Sequence, residues 1–390
     1  MQTKNNSGYT RVILVRHGRS SYNELKLYQG SCDDSLLTEK GYQQAYQTGL
    51  FLGDTKIDAV YCSPLQRTQA SAREILAAIK SVNNSELALQ LHPNLKEVDL
   101  PGWQGLSFKY VRDKLVDEYR VWKEEPHKFK METLHVEDSL AVAGHTTSPT
   151  TVIKSKVKYS YPVLELYEKA RQFWQKILPL HPGKTILIVS HGGTIRALIN
   201  TAIGIDESGF HRFQQSNCGV SMLTFFDDST SATQLDAINL TQHTEEIIPK
   251  LKEGKVGLRL VLLPVENALD LAVDKLANYL KEIPINFCLS IDCVDAENIL
   301  KSLASHPVNI QVARQDFLSI WHQNILGINL QSSELTTGLI IADKRAIQWG
   351  LNEILGFSVN ESSLNLQAGK FTFVHYPVRV KEAVLQAMNI

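Results

Sequence analysis

Val12-Ile13-Leu14-Val15, followed at once by Arg16-His17-Gly18, is the stretch on which the fold turns. Four consecutive apolar residues after a polar start leave no wet face, which suits a central strand of a parallel sheet covered on both sides. A helical pattern comes next over Leu37 to Leu52, with Thr38 as its N-cap and Ala45, Leu50 and Leu52 among its apolar positions. The alternation then repeats. Ile57 to Tyr61 reads as a strand and Pro64 to Ile79 as a helix, with Ala70, Ile75, Leu76 and Ile79 at helical spacing. Thr185 to Val189 reads as a third strand and Thr194 to Ile203 as a third helix. Strand–loop–helix three times over implies an α/β fold, a three-layer α/β/α domain around a mostly parallel sheet. Val220 to Phe226 and Gln234 to Leu240, flanking Asp227 to Ala232, read as a closing hairpin.

Composition narrows the classes of function. The chain has 390 residues, enough for two domains and a sizeable core. Lys+Arg number 40 against 41 Asp+Glu, a formal net charge of -1, which argues against a general nucleic-acid or acidic-membrane binder. No apolar run reaches the roughly 18 residues that a membrane-spanning helix needs. Met1 to Thr10 is polar and lacks the apolar core of a signal peptide. The five cysteines (Cys32, Cys62, Cys218, Cys288, Cys293) are scattered, which fits a reducing cytoplasm better than a disulfide framework. None has the spacing of a structural zinc site.

Each candidate for chemistry in the first half falls at a strand end. Arg16-His17-Gly18 follows the first strand, Ser63 to Arg67 the second, and Ser190-His191-Gly192-Gly193 the third. Open α/β sheets bind ligands in the crevice beyond the carboxyl ends of their strands. Two histidines and two arginines would therefore converge there. Together with helix N-termini they make an anion site, and phosphate fits best. Arg16 and Arg67 can each fork onto phosphoryl oxygens. A neutral His17 can attack phosphorus and carry the phosphoryl group. His191 can donate to an equatorial oxygen as charge builds, and Glu97 is the leading candidate to protonate the leaving alkoxide. With arginines and histidines neutralising the charge, no metal or other cofactor is called for.

Leu14-Val15-Arg16-His17-Gly18-Arg19-Ser20-Ser21-Tyr22-Asn23 resembles the RHG-x-[ST]-x-x-N signature of the histidine phosphatase superfamily, phosphoglycerate mutase-like branch. The resemblance continues, in order, through Tyr28-Gln29-Gly30, Leu37 to Gly41, Ser63 to Thr68, Glu97 to Gly105, and Val189 to Gly193, and covers about residues 10–245. It implies His17 as the phosphohistidine, Arg16, Arg67 and His191 as the phosphate pocket, and Glu97 as proton donor. It further implies phosphate contacts from Asn23, Gln29, Gly30 and Gly192. Mutases of this family carry Glu-Arg-His-Tyr-Gly at the acid and a later arginine pair. Here Glu97-Val98-Asp99-Leu100-Pro101-Gly102 and Trp122 to His127 stand instead, and Asp99 would repel a substrate carboxylate. A phosphatase acting on a small phosphorylated metabolite is the favoured reading, phosphoserine leading because Asp99 could pair with its ammonium. Phosphoglycerate mutase, α-ribazole phosphate or sugar phosphates stay open, as does a non-catalytic phosphate sensor. Trp103, Asn217 and Cys218 read as structural.

The expected organisation is a catalytic domain over 8–245, with an insert at about 106–180 acting as lid or surface decoration, then a smaller, degenerate α/β domain of the same kind over 256–390. Within the insert, Lys109 to Phe129 reads as helical and Ala143 to Tyr161 as loop. Leu258 to Leu263, Ile285 to Ile291 and Gly338 to Ile341 read as strands of the second half. Arg11 to Val15 aligns with Arg259 to Leu263, Ala72 to Leu76 with Ala296 to Leu300, and Leu187 to Val189 with Leu339 to Ile341, as expected of an internal duplication. On that alignment Pro264 and Val265 replace Arg16 and His17, Asp343 replaces His191, and no arginine lies between Cys288 and Ala304. Such a site should reject phosphate, leaving the second half a packing, dimerising or regulatory module. A homodimer is left open.

Overall fold

The structure, a computed structural model, describes residues 8–137, 154–227, 229–246, 248–252, 254–266, 279–281, 283–291, 309–313, 334–355, 363–378 and 382–390. In the first half the strands are β1 (Thr10–Arg16), β2 (Ala59–Cys62), β3 (Leu89–Leu91), β4 (Met131–Glu137), β5 (Lys154–Ser160), β6 (Thr185–Ser190), β7 (Val220–Phe225) and β8 (Thr233–Leu240). The second half adds β9 (Gly257–Val265), β10 (Phe287–Ile291), β11 (Asn309–Ala313), β12 (Leu335–Asp343), β13 (Thr372–Tyr376) and β14 (Val384–Met388). All except β4 and β5 join one 12-stranded sheet, in the order β11-β10-β12-β9-β13-β14-β8-β7-β1-β6-β2-β3. β1, β6, β2 and β3 run parallel, as do β9, β12, β10 and β11, while the four central strands pair antiparallel.

Helices cover both faces. α1 (Ser21–Leu25), α2 (Glu39–Phe51), α3 (Gln66–Asn83), α4 (Phe108–Lys114), α5 (Val116–Glu124), α6 (Pro162–Ile177) and α7 (Gly192–Ile203) belong to the first half, and α8 (Lys344–Leu355) to the second. The odd–even alternation of β1 assigns its two faces. Val12 and Leu14 pack with Phe173 and Trp174 of α6 and Ile195 and Leu198 of α7. Ile13 and Val15 pack with Ala45 of α2 and Ala72 and Ile75 of α3. With both faces dry, the continuous apolar runs at β1, β6, β9 and β12 are accounted for.

The structure departs from the sequence reading in places. Lys154–Ser160, expected as loop, is a strand paired antiparallel with β4. Its run of lysines and serines carries no continuous apolar stretch to mark it as a strand. Positions 143–153 of that stretch lie outside the described residues, as does the aligned segment Ala296 to Leu300. Lys109 to Phe129 is two helices separated at Leu115, whose ψ of 51° cannot continue a helix. The third helix starts at Gly192, not Thr194, because Glu97 supplies its cap from outside the helix. Strands β3, β4, β11, β13 and β14 have no counterpart in the sequence reading. The ladder between β9 and β12 pairs Arg259 with Thr337 and Pro264 with Ala342, where that between β1 and β6 pairs Arg11 with Thr185 and Arg16 with Ser190. The gapless alignment thus coincides with one shared register.

Candidate active site

Arg16 is the last residue of β1, Cys62 of β2 and Ser190 of β6, so the next residues, His17, Ser63 and His191, leave the sheet at one carboxyl edge. Glu97 arrives from β3 through a 3-10 turn at Pro93–Leu95. The ring centroids of His17 and His191 stand 5.2 Å apart, edge to face. His17 is 2% exposed, and Arg67 and His191 are 0%.

Hydrogen bonds orient each group. His17 Nδ1 lies 2.7 Å from the Gly18 carbonyl. A carbonyl only accepts, so Nδ1 carries the proton and Nε2 keeps its lone pair. The Gly18 N–H donates to Ser71 Oγ of α3, and Asn217 Nδ2 donates to the carbonyls of His17 and Gly18 and to Asn23 Oδ1. Asn217 and Cys218, read as structural, therefore support the His17–Gly18 loop directly, and the Cys218 N–H donates to the Arg16 carbonyl. Nothing local marks Asn217 for this, because its partners lie about 200 positions upstream.

Arg16 Nη1 donates to the Gln215 carbonyl at 2.8 Å. Arg67 donates from Nη1 to the Cys32 carbonyl and from Nη2 to the Gly30 carbonyl. Gly30 has φ of +55°, a left-handed backbone that turns its carbonyl toward Arg67 at no steric cost. Gln29 Oε1 accepts from Ser20 Oγ. Asn23 Oδ1 accepts from the Ser20 N–H and Oγ as well as from Asn217, which leaves its Nδ2 as the end able to meet an anion. Gly192 opens α7 against Arg16, and a Cβ there would stand 3.4 Å from Arg16 Nε.

Glu97 sits on the N-terminus of α7. Its Oε1 accepts from the Thr194 N–H and its Oε2 from the Gly193 N–H. These are two of the orphan donors that any helix start leaves, and the helix dipole adds to them. Asp99 is exposed, and its Oδ1 accepts from Ser31 Oγ, next to the Gly30 carbonyl that Arg67 grips. Trp103 is core, with Nε1 donating to Glu118.

Burial sets the electrostatics. It holds His17 well below the ordinary imidazole pKa, with Arg16 and then Arg67 adding to the effect. Burial likewise lowers His191, helped by Arg67, His17 and Arg16. Both rings are neutral at neutral pH. Burial brings Arg16 down to about 10, opposed by Glu97, and it still carries its charge. Among the described residues, the buried polar atoms with no hydrogen-bond partner include Arg16 Nε, Arg67 Nε and His191 Nδ1. Buried polar atoms normally find partners, and an anion among these three would supply what the protein does not. No group of three or more His, Cys, Asp or Glu suited to a metal occurs among the described residues, and no described helix is long and apolar enough to cross a membrane.

The chain is similar in sequence to known proteins. The sequence model of the histidine phosphatase superfamily (branch 1) matches residues 12–148 and 145–238. A probable 2-carboxy-D-arabinitol-1-phosphatase of Arabidopsis thaliana is 35% identical over 237 residues, 60% of this chain and 42% of that protein. The match thus spans less than half of that relative's length. Phosphoserine phosphatase 1 of Hydrogenobacter thermophilus is 28% identical over 236 residues, 60% of this chain and 95% of that one. Among solved structures, a phosphoserine phosphatase of Entamoeba histolytica in complex with 3-phosphoglyceric acid superposes with a TM-score of 0.45 at 24% identity, covering 60% of this chain and 99% of that one.

Proposed function

Because this chain belongs to the histidine phosphatase superfamily (branch 1), we propose that it is a metal-independent phosphatase of small phosphomonoesters working through a phosphohistidine. The observation that carries the reading is the meeting of His17, His191, Arg16 and Arg67 at one sheet edge with three unpartnered buried donors among them. His17 Nε2 attacks phosphorus, and the bond from phosphorus to the ester oxygen breaks. Glu97 in its acid form gives its proton to the departing alkoxide. Water then attacks the phosphohistidine, Glu97 takes a proton from it, and the phosphorus–nitrogen bond breaks to return the lone pair to Nε2. The backbone donors of Gly193 and Thr194 suit the carboxylate that Glu97 becomes between the two steps. Arg16 and Arg67 neutralise the equatorial oxygens throughout.

Ser63 completes the arrangement. Its Oγ already accepts from the Leu65 N–H and lies 2.8 Å from His191 Nε2. A hydroxyl donating to Nε2 puts the ring proton on Nδ1, the nitrogen without a protein partner, where it can donate to a phosphoryl oxygen.

The substrate is a small phosphorylated acid, with phosphoserine first. Asp99, exposed and bonded to Ser31 next to Gly30, offers a carboxylate for its ammonium. The 35% identity to the carboxyarabinitol phosphatase supports a second candidate, a phosphorylated sugar acid with no ammonium. The test is a panel of phosphorylated metabolites assayed in EDTA, with 3-phosphoglycerate and bisphosphoglycerate included. Release of orthophosphate that survives EDTA is expected. Isomerisation outrunning hydrolysis, or no turnover at all, would overturn the reading. Asp99→Asn is expected to raise KM for phosphoserine and to leave a phosphorylated sugar acid unaffected.

A further inference from the structure

The first half's loop at residues 212–218 holds the Arg16 side chain through the Gln215 carbonyl, the Arg16 carbonyl through the Cys218 N–H, and the nucleophile's loop through Asn217. Strand β14 of the second half holds that loop in turn. The Gln214 N–H donates to the Leu385 carbonyl, and the Leu385 N–H donates to the Arg212 carbonyl. Asn239, with φ of +52°, accepts from the Ser216 N–H on Oδ1 at 2.7 Å and donates from Nδ2 to the Gln386 carbonyl at 2.8 Å. The connection between the halves adds two more ties. Gln214 Nε2 donates to the Lys250 carbonyl, and Lys252 Nζ donates to the same Gln215 carbonyl that takes Arg16.

The bonds that tie strand, loop and asparagine together occur a second time with the halves exchanged. The Asn365 N–H donates to the Leu235 carbonyl and the Leu235 N–H to the Ser363 carbonyl. Asn389, with φ of +64°, accepts from the Gln367 N–H and donates to the Asp236 carbonyl. The Gly369 N–H donates to the Pro264 carbonyl as the Cys218 N–H does to Arg16. Ile238 and Met388, each just before its asparagine, pair with each other at the junction of β8 and β14. The halves are thus related by an internal pseudo-dyad. On the second half's side the clamped loop, 363–369, is tied to the end of β9, where Pro264 stands for Arg16 and Val265 for His17, so there it supports no phosphate chemistry.

We propose that the second half serves the reaction as a positioning module: β14, acting through Asn239 and the 212–218 loop, fixes Arg16 and the His17 backbone in place. Asn239 is a positioning residue and touches no substrate. The proposal rests on the phosphatase reading for its kinetic readout only. The pseudo-dyad provides a matched control. Asn239→Gly and Asn389→Gly each keep the left-handed backbone and remove corresponding bonds, but only Asn239 is tied to the loop that holds Arg16.

The test compares the two variants in the full chain by steady-state kinetics on phosphoserine and 4-nitrophenyl phosphate, by orthophosphate inhibition, by thermal unfolding, and by amide hydrogen exchange over residues 212–218. Both variants are expected to lose similar thermal stability. KM and the orthophosphate inhibition constant should rise about tenfold in Asn239→Gly, from a misplaced charged partner, and stay near wild type in Asn389→Gly. Exchange at 212–218 should quicken in Asn239→Gly alone. Equal kinetic shifts in the two variants, or unchanged exchange in Asn239→Gly, would overturn the proposal. Absence of turnover in the wild type would instead bring down the phosphatase reading, and the exchange comparison would still decide the clamp.

Discussion

Glu97 and Ser63 separate the two kinds of work a side chain does in this site. On the proposed mechanism Glu97 gives a proton to the leaving group in the first step and takes one from water in the second, and only the first depends on how poor the leaving group is. Glu97→Gln should therefore lower kcat/KM, which reports the step that forms the phosphohistidine, by about 10²–10⁴-fold on phosphoserine, and much less on 4-nitrophenyl phosphate, whose leaving group departs unaided. Equal losses in kcat/KM on both would mean that Glu97 holds the site together and does not donate. On the same reading Ser63 acts one step back, on the proton of His191. Ser63→Ala should cost about tenfold in kcat, the scale of one hydrogen bond near 1–1.5 kcal/mol, with KM little changed because the arginines still bind phosphate.

At the scale of elements, two glycines show how a helix terminus is fitted to the site. A Cβ at Gly41, near the start of α2, would stand 2.2 Å from the Arg19 carbonyl oxygen, and one at Gly18 would stand 2.3 Å from the Gly41 carbonyl oxygen. Both obstacles are backbone, so the loop after His17 lies directly on α2, and Thr38 caps that helix while its hydroxyl also donates to the Arg19 carbonyl. Gly41→Ala should destabilise the fold by about 2–4 kcal/mol, the range of severe local strain, seen as a lower urea midpoint. At Gly193 the obstacle differs: a Cβ would stand 2.5 Å from Glu97 Oε1, the end of a side chain. Gly193→Ala should displace the carboxylate and so cut activity while the urea midpoint stays near wild type. Opposite outcomes for the two glycines would mean that the contacts are misjudged.

For the whole molecule, the buried histidines set the response to acid. His17 and His191 stay neutral in the fold well below the ordinary imidazole range, whereas the unfolded chain protonates them near pH 6.5. The unfolded state then binds more protons, so stability is full above that pH and falls as pH drops toward the folded values. Each ring contributes about 1.4 kcal/mol per pH unit in that window. Urea unfolding at about pH 7, 6 and 5 should show the loss, and the slope should flatten in His17→Asn and His191→Asn. Undiminished slopes in both variants would mean that other groups carry the dependence. The 12-stranded sheet adds a second property at this scale. Both halves share the central β8–β14 junction, so they should unfold in a single transition.

The residue types needed for phosphate chemistry, and their places at strand ends, are legible in the linear chain. An apolar run of four reads as a dry strand, and the residues just past the carboxyl end of a dry parallel strand lie at the ligand edge of the sheet. The register of the repeat is legible for the same reason, since Arg11 to Val15 and Arg259 to Leu263 carry one pattern. Tertiary structure alone decides which partners hold those residues. Asn217 reaching His17, Ser63 reaching His191, and β14 bracing the Arg16 loop are contacts between segments roughly 130 to 200 positions apart, made by polar groups with no periodicity to betray them. Hydrophobic patterning is written along a chain because burial acts on each residue separately. A hydrogen bond needs two groups at a set distance and angle, and folding alone brings them there.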